Sequence, residues 1–166
     1  MPNWIEGSLK LRGNSEDLKR FFKEGVDCPA EAVYIFGDLK PEIKPISAYI
    51  ECDFDKGYNF VTIKNEPHIR NTRRAFIQDC YVEWEEKYST VHMPIKQAWA
   101  FIACDEDRQR WEEISAQYRL DIRLYGFERG MEFCEEVEIV DGKVVKDSEI
   151  KYADWAWECP MPGLGG

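Results

Sequence analysis

The sequence lacks the short motifs by which many enzymes and metal proteins are recognised. It has no Gly-x-Gly-x-x-Gly, no phosphate-binding loop and no His-Glu-x-x-His, and it contains only two histidines. None of its six cysteines stands in a Cys-x-x-Cys pair or at a zinc-ligand spacing from a histidine. We therefore expect no cofactor, no metal ion and no catalytic activity.

Long hydrophobic runs are also missing. No apolar run reaches the length of a membrane-spanning helix, and the opening segment MPNWIEGSLKLRG has neither the basic nor the apolar region of a signal peptide. These absences predict a cytoplasmic protein that does not bind membranes. In a reducing compartment the six cysteines are expected to be small core residues with free thiols rather than disulfides.

Basic residues are scarce relative to acidic ones. The chain has 22 Lys and Arg against 32 Asp and Glu, which gives a formal net charge of −10. Residues 1–83 carry 14 acids and 12 bases, a charge of −2, whereas residues 84–166 carry 18 and 10, a charge of −8. This field disfavours direct binding to DNA or RNA and favours a basic protein surface as the partner.

What the sequence does contain is enough apolar material for one compact core. Its 166 residues are 44% hydrophobic and 14% aromatic, a composition that offsets chain entropy and argues against disorder. The length fits a single domain over residues 1–166.

Two helices are predicted among several strands. The first follows Asn14-Ser15 and ends at Gly25, and the second runs from Asp105 to about Tyr118 with acids in its first turn. Strands are predicted at Trp4–Arg12, Ile46–Phe54, Tyr58–Ile63, Ala75–Trp84, Ala98–Cys104, Leu120–Tyr125, Phe133–Val140, Lys143–Lys146 and Asp154–Cys159. Turns are predicted at Lys56-Gly57 and Asp141-Gly142. The order predicts an α+β fold, a mainly antiparallel sheet with two helices packed on one face.

Two stretches resemble the YubB-type proteins of conjugative plasmids and phages. They are the start MPNWIEGSLKLRG with the helix SEDLKRFFKEG, and the later segment RLDIRLYGFERGMEFCEEVEIVDGKVV. The resemblance implies a ferredoxin-like domain and an origin in a mobile element. It implies no catalytic residues, because the family offers none to transfer.

The last 36 residues, Met131–Gly166, form an acidic segment with nine carboxylates and three lysines. Alternation in the predicted strands places several carboxylates on one face, and Trp155 and Trp157 at i, i+2 are predicted to share a strand face beside Asp154 and Glu158. That face either binds an Arg-rich partner or closes over the sheet. The predicted partner-binding residues are Glu132, Glu135, Glu136, Glu138, Asp141, Glu149, Trp155 and Trp157.

The function predicted from this charge is that of a non-enzymatic binding protein. Carboxylates spaced along a hairpin imitate backbone phosphates, so the chain is expected to act as an inhibitor or nucleic-acid mimic. Its partner would be a basic host protein, such as an RNA-guided defence nuclease with a positively charged channel.

An alternative is a small-ligand or nucleotide-binding domain. The basic cluster HIRNTRR places Arg70, Arg73 and Arg74 where they can bind phosphate, although a solvated loop that pairs with the chain's own acids would have the same composition. Glu128, Arg129 and Glu132 around Gly130 suggest either acid–base chemistry or a turn with an internal ion pair. His92 has no nucleophile at an interpretable offset.

Overall fold

The computed structural model describes residues 3–27, 35–36, 49–52, 54 and 59–166, with the backbone alone at residues 35, 36 and 49. The predicted turn at Lys56-Gly57 lies outside these residues. The strands are β1 (Trp4–Asn14), β2 (Val26–Asp27), β3 (Ile35–Phe36), β4 (Tyr49–Cys52), β5 (Phe60–Lys64), β6 (His68–Ile69), β7 (Ala75–Ile77), β8 (Cys80–Glu83), β9 (Tyr88–Ala98), β10 (Asp121–Glu128), β11 (Phe133–Val140) and β12 (Lys143–Lys151). The helices are α1 (Ser15–Arg20), which continues as a π-helical turn (Phe21–Gly25), α2 (Asp105–Tyr118) and α3 (Trp155–Glu158).

Two sheets organise the described residues. The larger has eight strands in the order β12-β11-β10-β1-β9-β7-β6-β2, and every neighbouring pair in it is antiparallel. The smaller has four strands in the order β3-β4-β5-β8, with one parallel pair, β3 and β4. The strand β1 lies at the centre of the larger sheet because it pairs along its length with both β9 and β10.

The predicted fold class is wrong. The described residues form an eight-stranded and a four-stranded sheet with only three short helices, rather than a ferredoxin-like α+β fold in which two helices cover one sheet. One reason is β9, in which Val91, Met93 and Ile95 alternate but Pro94, a residue unfavourable in central strands, weakens the strand signal. The other is the second sheet, whose strands are too short to signal a separate layer.

Several individual elements are confirmed. The strand that begins at Trp4, the helix from Asp105 to Tyr118 and the hairpin around Asp141-Gly142 lie where the sequence predicts them. Two predicted strands are wrong. The first of these, Ala98–Cys104, fails because β9 ends at Ala98 and Trp99 adopts a left-handed φ of 69°. The second, Asp154–Cys159, contains a short helix instead.

The core lies between the larger sheet and its covering layers. One face of β1 contributes Ile5, Leu9 and Leu11, which join Phe21 and Trp111 from the helical segments in one buried cluster. The opposite face carries a second, smaller cluster under the C-terminal segment, made of Phe127, Cys134, Trp155 and Cys159. Among the described residues, no helix combines the length and apolar character needed to cross a membrane.

Candidate functional site

Two of the six carboxylates predicted to bind a partner are buried, on opposite faces of β11. Glu136 is bound by Arg123 of β10 and by the Nζ atom of Lys146 of β12 at 2.6 Å, and these hydrogen bonds lower its pKa. Glu135 points the other way, because successive strand residues alternate. Its carboxylate accepts two backbone N–H groups, and burial raises its pKa to about 7.

The other four predicted acids lie apart. Glu138 is half-buried in a shallow groove that Lys10, Arg12 and Arg123 also line. Glu149 is exposed and pairs with Lys151 at 3.0 Å. The remaining two, Glu132 and Asp141, are exposed at turns with φ of 55° and 50°. The six carboxylates are therefore spread over both faces of the sheet and its turns, and the fold does not gather them into one array.

The two tryptophans of the C-terminal segment do not share a face. They lie on α3, and a helix rotates by about 100° per residue, so positions i and i+2 point in nearly opposite directions. Trp155 is 7% exposed and donates its indole N–H to the carbonyl of Pro162 at 3.0 Å. Trp157 is 86% exposed. The predicted shared face is wrong because the segment is helical, and only Trp157 is available to a partner.

The arginines of the basic cluster largely pair with acids of the same chain. Arg70 lies 3.4 Å from a carboxylate oxygen of Asp27, and Arg73 lies 3.3 Å from one of the buried Asp107. The third, Arg74, is exposed. The positive charges of Arg70 and Arg73 are therefore compensated by acids of the same chain.

The turn around Gly130 has no acid–base pair. Glu128 is buried, and its carboxylate accepts the N–H groups of Gly130 and Met131 at 2.8 and 2.5 Å, so it holds the turn. His92 is exposed on β9, opposite Lys10 of β1. In the part of the chain that the structure describes, no three His, Cys, Asp or Glu side chains are grouped so that they could hold a metal ion.

A pocket that the sequence did not reveal lies on the smaller sheet, and we call it the Tyr81 pocket. It has a volume of about 420 Å³. Its lining residues are Asn59, Phe60, Tyr81, Glu83, Trp84 and Glu85.

A bend in the chain creates this pocket. The predicted strand Ala75–Trp84 is divided into β7 and β8, and β8 leaves the larger sheet to pair with β5. In the connection from β5 to β6, Asn65 and Glu66 adopt φ values of 59° and 54°, and the N–H of Asn65 donates to the carboxylate of Asp79, which lies in the bend, at 2.6 Å. Asparagine tolerates this left-handed conformation better than most residues. The bend therefore turns the outer face of β8 towards solvent.

Strand alternation sorts the side chains of β5 and β8. Val61, Ile63 and Val82 are buried in the core. Phe60 lies opposite Glu83 in the register, and Tyr81 is 59% exposed on the same outer face. The outer face of this strand pair is consequently aromatic and acidic.

The aromatic walls of the Tyr81 pocket are held in place. The rings of Phe60 and Tyr81 stack with centroids 6.1 Å apart and an angle of 24° between their planes. Trp84 donates its indole N–H to the Ser15 hydroxyl at 2.9 Å, and its ring stacks on Phe22 with centroids 5.6 Å apart. A ligand would therefore meet aromatic surfaces that are already ordered.

The charged groups of the pocket, Glu83 and Glu85, are acceptors. The Tyr81 hydroxyl donates to Glu83 at 3.1 Å, and desolvation, followed by this hydrogen bond and the charge of Glu83, raises the pKa of Tyr81. Among the described residues, no Lys or Arg forms an ion pair with Glu83 or Glu85. Within the same described part, the buried Oδ1 atom of Asn59 has no hydrogen-bond donor. The pocket thus presents negative charge that no cation of the described residues pairs with.

Sequence reasoning missed this site, although one signal was present. Tyr81 and Glu83 alternate with Cys80 and Val82, which marks one outward face of a strand. Nothing in the sequence indicates that Phe60 would lie across from that face.

Comparisons with protein-family models, with curated proteins and with solved structures find no match to this chain. The resemblance to YubB-type proteins therefore stays a prediction.

Proposed function

We propose that the protein is a non-enzymatic binding protein that holds a basic partner protein through the Tyr81 pocket. The observation that supports this most is that two stacked aromatic rings line one opening together with two carboxylates that pair with no cation in the described part of the chain. A Lys or Arg side chain over an aromatic face gains about 0.5–2 kcal/mol, depending on its desolvation. A carboxylate beside it adds a charge-assisted hydrogen bond.

The size and polarity of the pocket suit the end of a basic side chain. Its volume of about 420 Å³ exceeds what one guanidinium or ammonium group fills, which leaves room for its aliphatic stem against Phe60 and Trp84. The acceptors at Glu83 and Glu85 match the donors of such a group.

The net charge of −10 supports the same class of partner. A negative field speeds encounter with basic surfaces, and the exposed carboxylates of Glu132, Asp141 and Glu149 contribute to it without forming an ordered array. We expect the protein to act in the host cytoplasm as an inhibitor. Its target would be a basic host protein that binds nucleic acid, such as an RNA-guided defence nuclease. Mimicry of spaced phosphates would involve only those acids that remain exposed.

Fluorescence anisotropy with a labelled arginine-rich peptide tests the proposal. We expect binding at low salt that weakens as salt is added, and no binding of a glutamate-rich peptide of the same length. Tyr81→Ala should weaken binding about fivefold to thirtyfold, which corresponds to about 1–2 kcal/mol. Glu83→Gln should weaken it as well, because the charge-assisted hydrogen bond is lost.

The matched control is Tyr88→Ala. Tyr88 is also 59% exposed, but it lies at the start of β9 and does not line the pocket. Its substitution should leave affinity unchanged. Equal losses in the Tyr81 and Tyr88 variants, or affinity that ignores salt, would contradict a specific basic-partner site.

A further inference from the structure

The outer edge of β8, beside the Tyr81 pocket, has backbone groups that pair with no other described residue. This strand is the last in the order β3-β4-β5-β8 and pairs only with β5. The N–H of Trp84 donates to the carbonyl of Asn59 at 3.0 Å, which fixes these two residues as a hydrogen-bonded pair of the ladder. Antiparallel pairs alternate between hydrogen-bonded and non-hydrogen-bonded. Val82 therefore bonds to β5, while Tyr81 and Glu83 direct their N–H and C=O groups away from it.

Those outward groups have no partner within the described residues. The described hydrogen bonds outside the regular ladders include none to the backbone N–H or C=O of Tyr81 or Glu83. Their side chains lie on the face that lines the pocket. Backbone donors and acceptors and an acidic-aromatic surface thus occur at the same two residues.

The β8 edge is short, with four residues, and lies near β9, but it lacks two of the residue types that block strand addition. Its sequence, CYVE, contains neither lysine nor proline. The edge strand β12 of the larger sheet, by contrast, carries Lys143, Lys146 and Lys151. Because Glu83 is negative, two copies of the β8 edge would repel each other, whereas a basic strand would be attracted.

We propose that an extended basic segment of the partner adds to the edge of β8 as a further strand and places its cationic side chains in the Tyr81 pocket. This inference rests on the proposed function and names the form of its partner. In an added strand every second side chain points to the outer face, so a cationic residue at those positions meets Tyr81 and Glu83. The intervening side chains point towards the core side, which favours β-branched residues there. The segment that fits best alternates basic and β-branched residues, and its recognition combines backbone pairing with side-chain pockets.

A short peptide of alternating arginine and threonine tests strand addition on the full chain. Three versions are compared: unmodified, with backbone N-methyl groups on the arginines, and with N-methyl groups on the threonines. Alternate residues of a strand direct their N–H groups to opposite edges, so only one methylated peptide has its blocked edge against β8. We expect that one to bind at least about tenfold more weakly, since it loses several hydrogen bonds, and the other to bind like the unmodified peptide.

The outcomes separate this inference from the function on which it rests. If the unmodified peptide binds and depends on Tyr81, but both methylated peptides keep their affinity or lose it equally, strand addition is wrong and the pocket stands. If the unmodified peptide shows no binding that Tyr81→Ala reduces, the proposed function itself fails. A loss confined to one methylated peptide supports both.

Discussion

Glu135 holds the backbone of Phe101. Its Oε2 atom accepts the Phe101 N–H at 2.5 Å, and its Oε1 atom accepts the next N–H, that of Ile102, at 3.0 Å. The residue belongs to the acidic segment, yet it is buried, and it fixes the loop that leaves β9. A carboxylate that looks like part of an exposed charge array in the sequence is thus a structural group inside the fold.

This burial makes the stability of the fold depend on pH. Burial raises the pKa of Glu135 to about 7, and the charges of Asp147 and Glu149 add to the effect. The folded chain holds the proton more tightly than the unfolded chain, whose glutamates titrate near pH ~4.3. The resulting stabilisation is complete below that value and is lost as the pH rises through about 7.

Glu135→Gln should remove this dependence. Between about pH 5 and pH 8, the free energy of unfolding of the natural chain should fall relative to that of the variant by about 2–3 kcal/mol. Urea unfolding at several pH values measures both. Other titrating groups, such as His68, affect the two proteins equally and cancel in the difference. Parallel curves for the two proteins would show that Glu135 is ionised throughout.

The sequence predicts features that depend on neighbouring residues and misses those that depend on distant ones. The helix that starts at Asp105 and the hairpin at Asp141-Gly142 follow from capping, periodicity and turn chemistry, which are local. The strand β9 signals itself only in part, because Pro94 interrupts it, and its place is secured by pairing with β1. The second sheet depends on a bend near Asp79 that no local pattern marks.

The candidate site shows the same limit. The net charge and its concentration in the second half were readable from the sequence, but which carboxylates stay exposed was not. Glu135 and Glu136 are charged residues in an acidic segment, where exposure is the ordinary expectation, yet one is buried against a loop and the other between Arg123 and Lys146. The Tyr81 pocket requires Phe60 of β5 on the strand beside β8. The register of these two strands depends on the tertiary structure and is not encoded locally.

Trp155 and Trp157 should differ sharply when each is replaced by alanine. Trp155 packs in the smaller core cluster with Phe127 and Cys134, so its loss should cost about 3–5 kcal/mol. Trp157 is exposed, and its replacement should change stability by less than about 0.5 kcal/mol. Thermal and urea unfolding followed by circular dichroism compare the two. Similar stability losses in both variants would contradict the helical placement of the two residues.

The same Trp157→Ala variant tests whether Trp157 anchors a partner, because its affinity for the arginine-rich peptide can be compared with that of the natural chain.

Replacing Arg119 should lower the stability of the fold more than replacing its ion-pair partner Asp17. The Nε and Nη2 atoms of Arg119 donate to one Asp17 oxygen at 3.0 and 2.6 Å, and Asp17 is buried while Arg119 is exposed. Arg119→Ala leaves the buried carboxylate with Arg20, at 3.8 Å, as its one remaining ion-pair partner among the described residues, and should cost about 3 kcal/mol. Asp17→Asn leaves a solvated guanidinium and should cost about 1 kcal/mol.

A double-mutant cycle checks this pair. The combined variant should be about 1–3 kcal/mol more stable than the sum of the single losses predicts, because the second change removes the charge that the first one stranded. Urea unfolding of the four proteins provides the energies. Additive losses would mean that the two side chains do not interact in solution.

Two glycines that face each other across the central strands should tolerate alanine unequally. Gly7 of β1 lies opposite Gly126 of β10, and a Cβ atom added at Gly7 would lie 2.0 Å from the backbone oxygen of Tyr125. A Cβ atom at Gly126 would instead meet side-chain atoms, Ile5 Cγ1 at 2.7 Å and the ring of Phe101 at 2.8 Å, which can shift more readily than paired backbone. Gly126→Ala should therefore lower the free energy of unfolding by about 1–3 kcal/mol, the usual range for overpacking, and Gly7→Ala should lower it more, since paired backbones have little freedom to separate.

Gly163→Ala is the matched control, because no described atom lies within 4 Å of its added Cβ. Urea unfolding ranks the three variants, and a loss at Gly7 no larger than at Gly163 would rule out the close approach of β1 and β10.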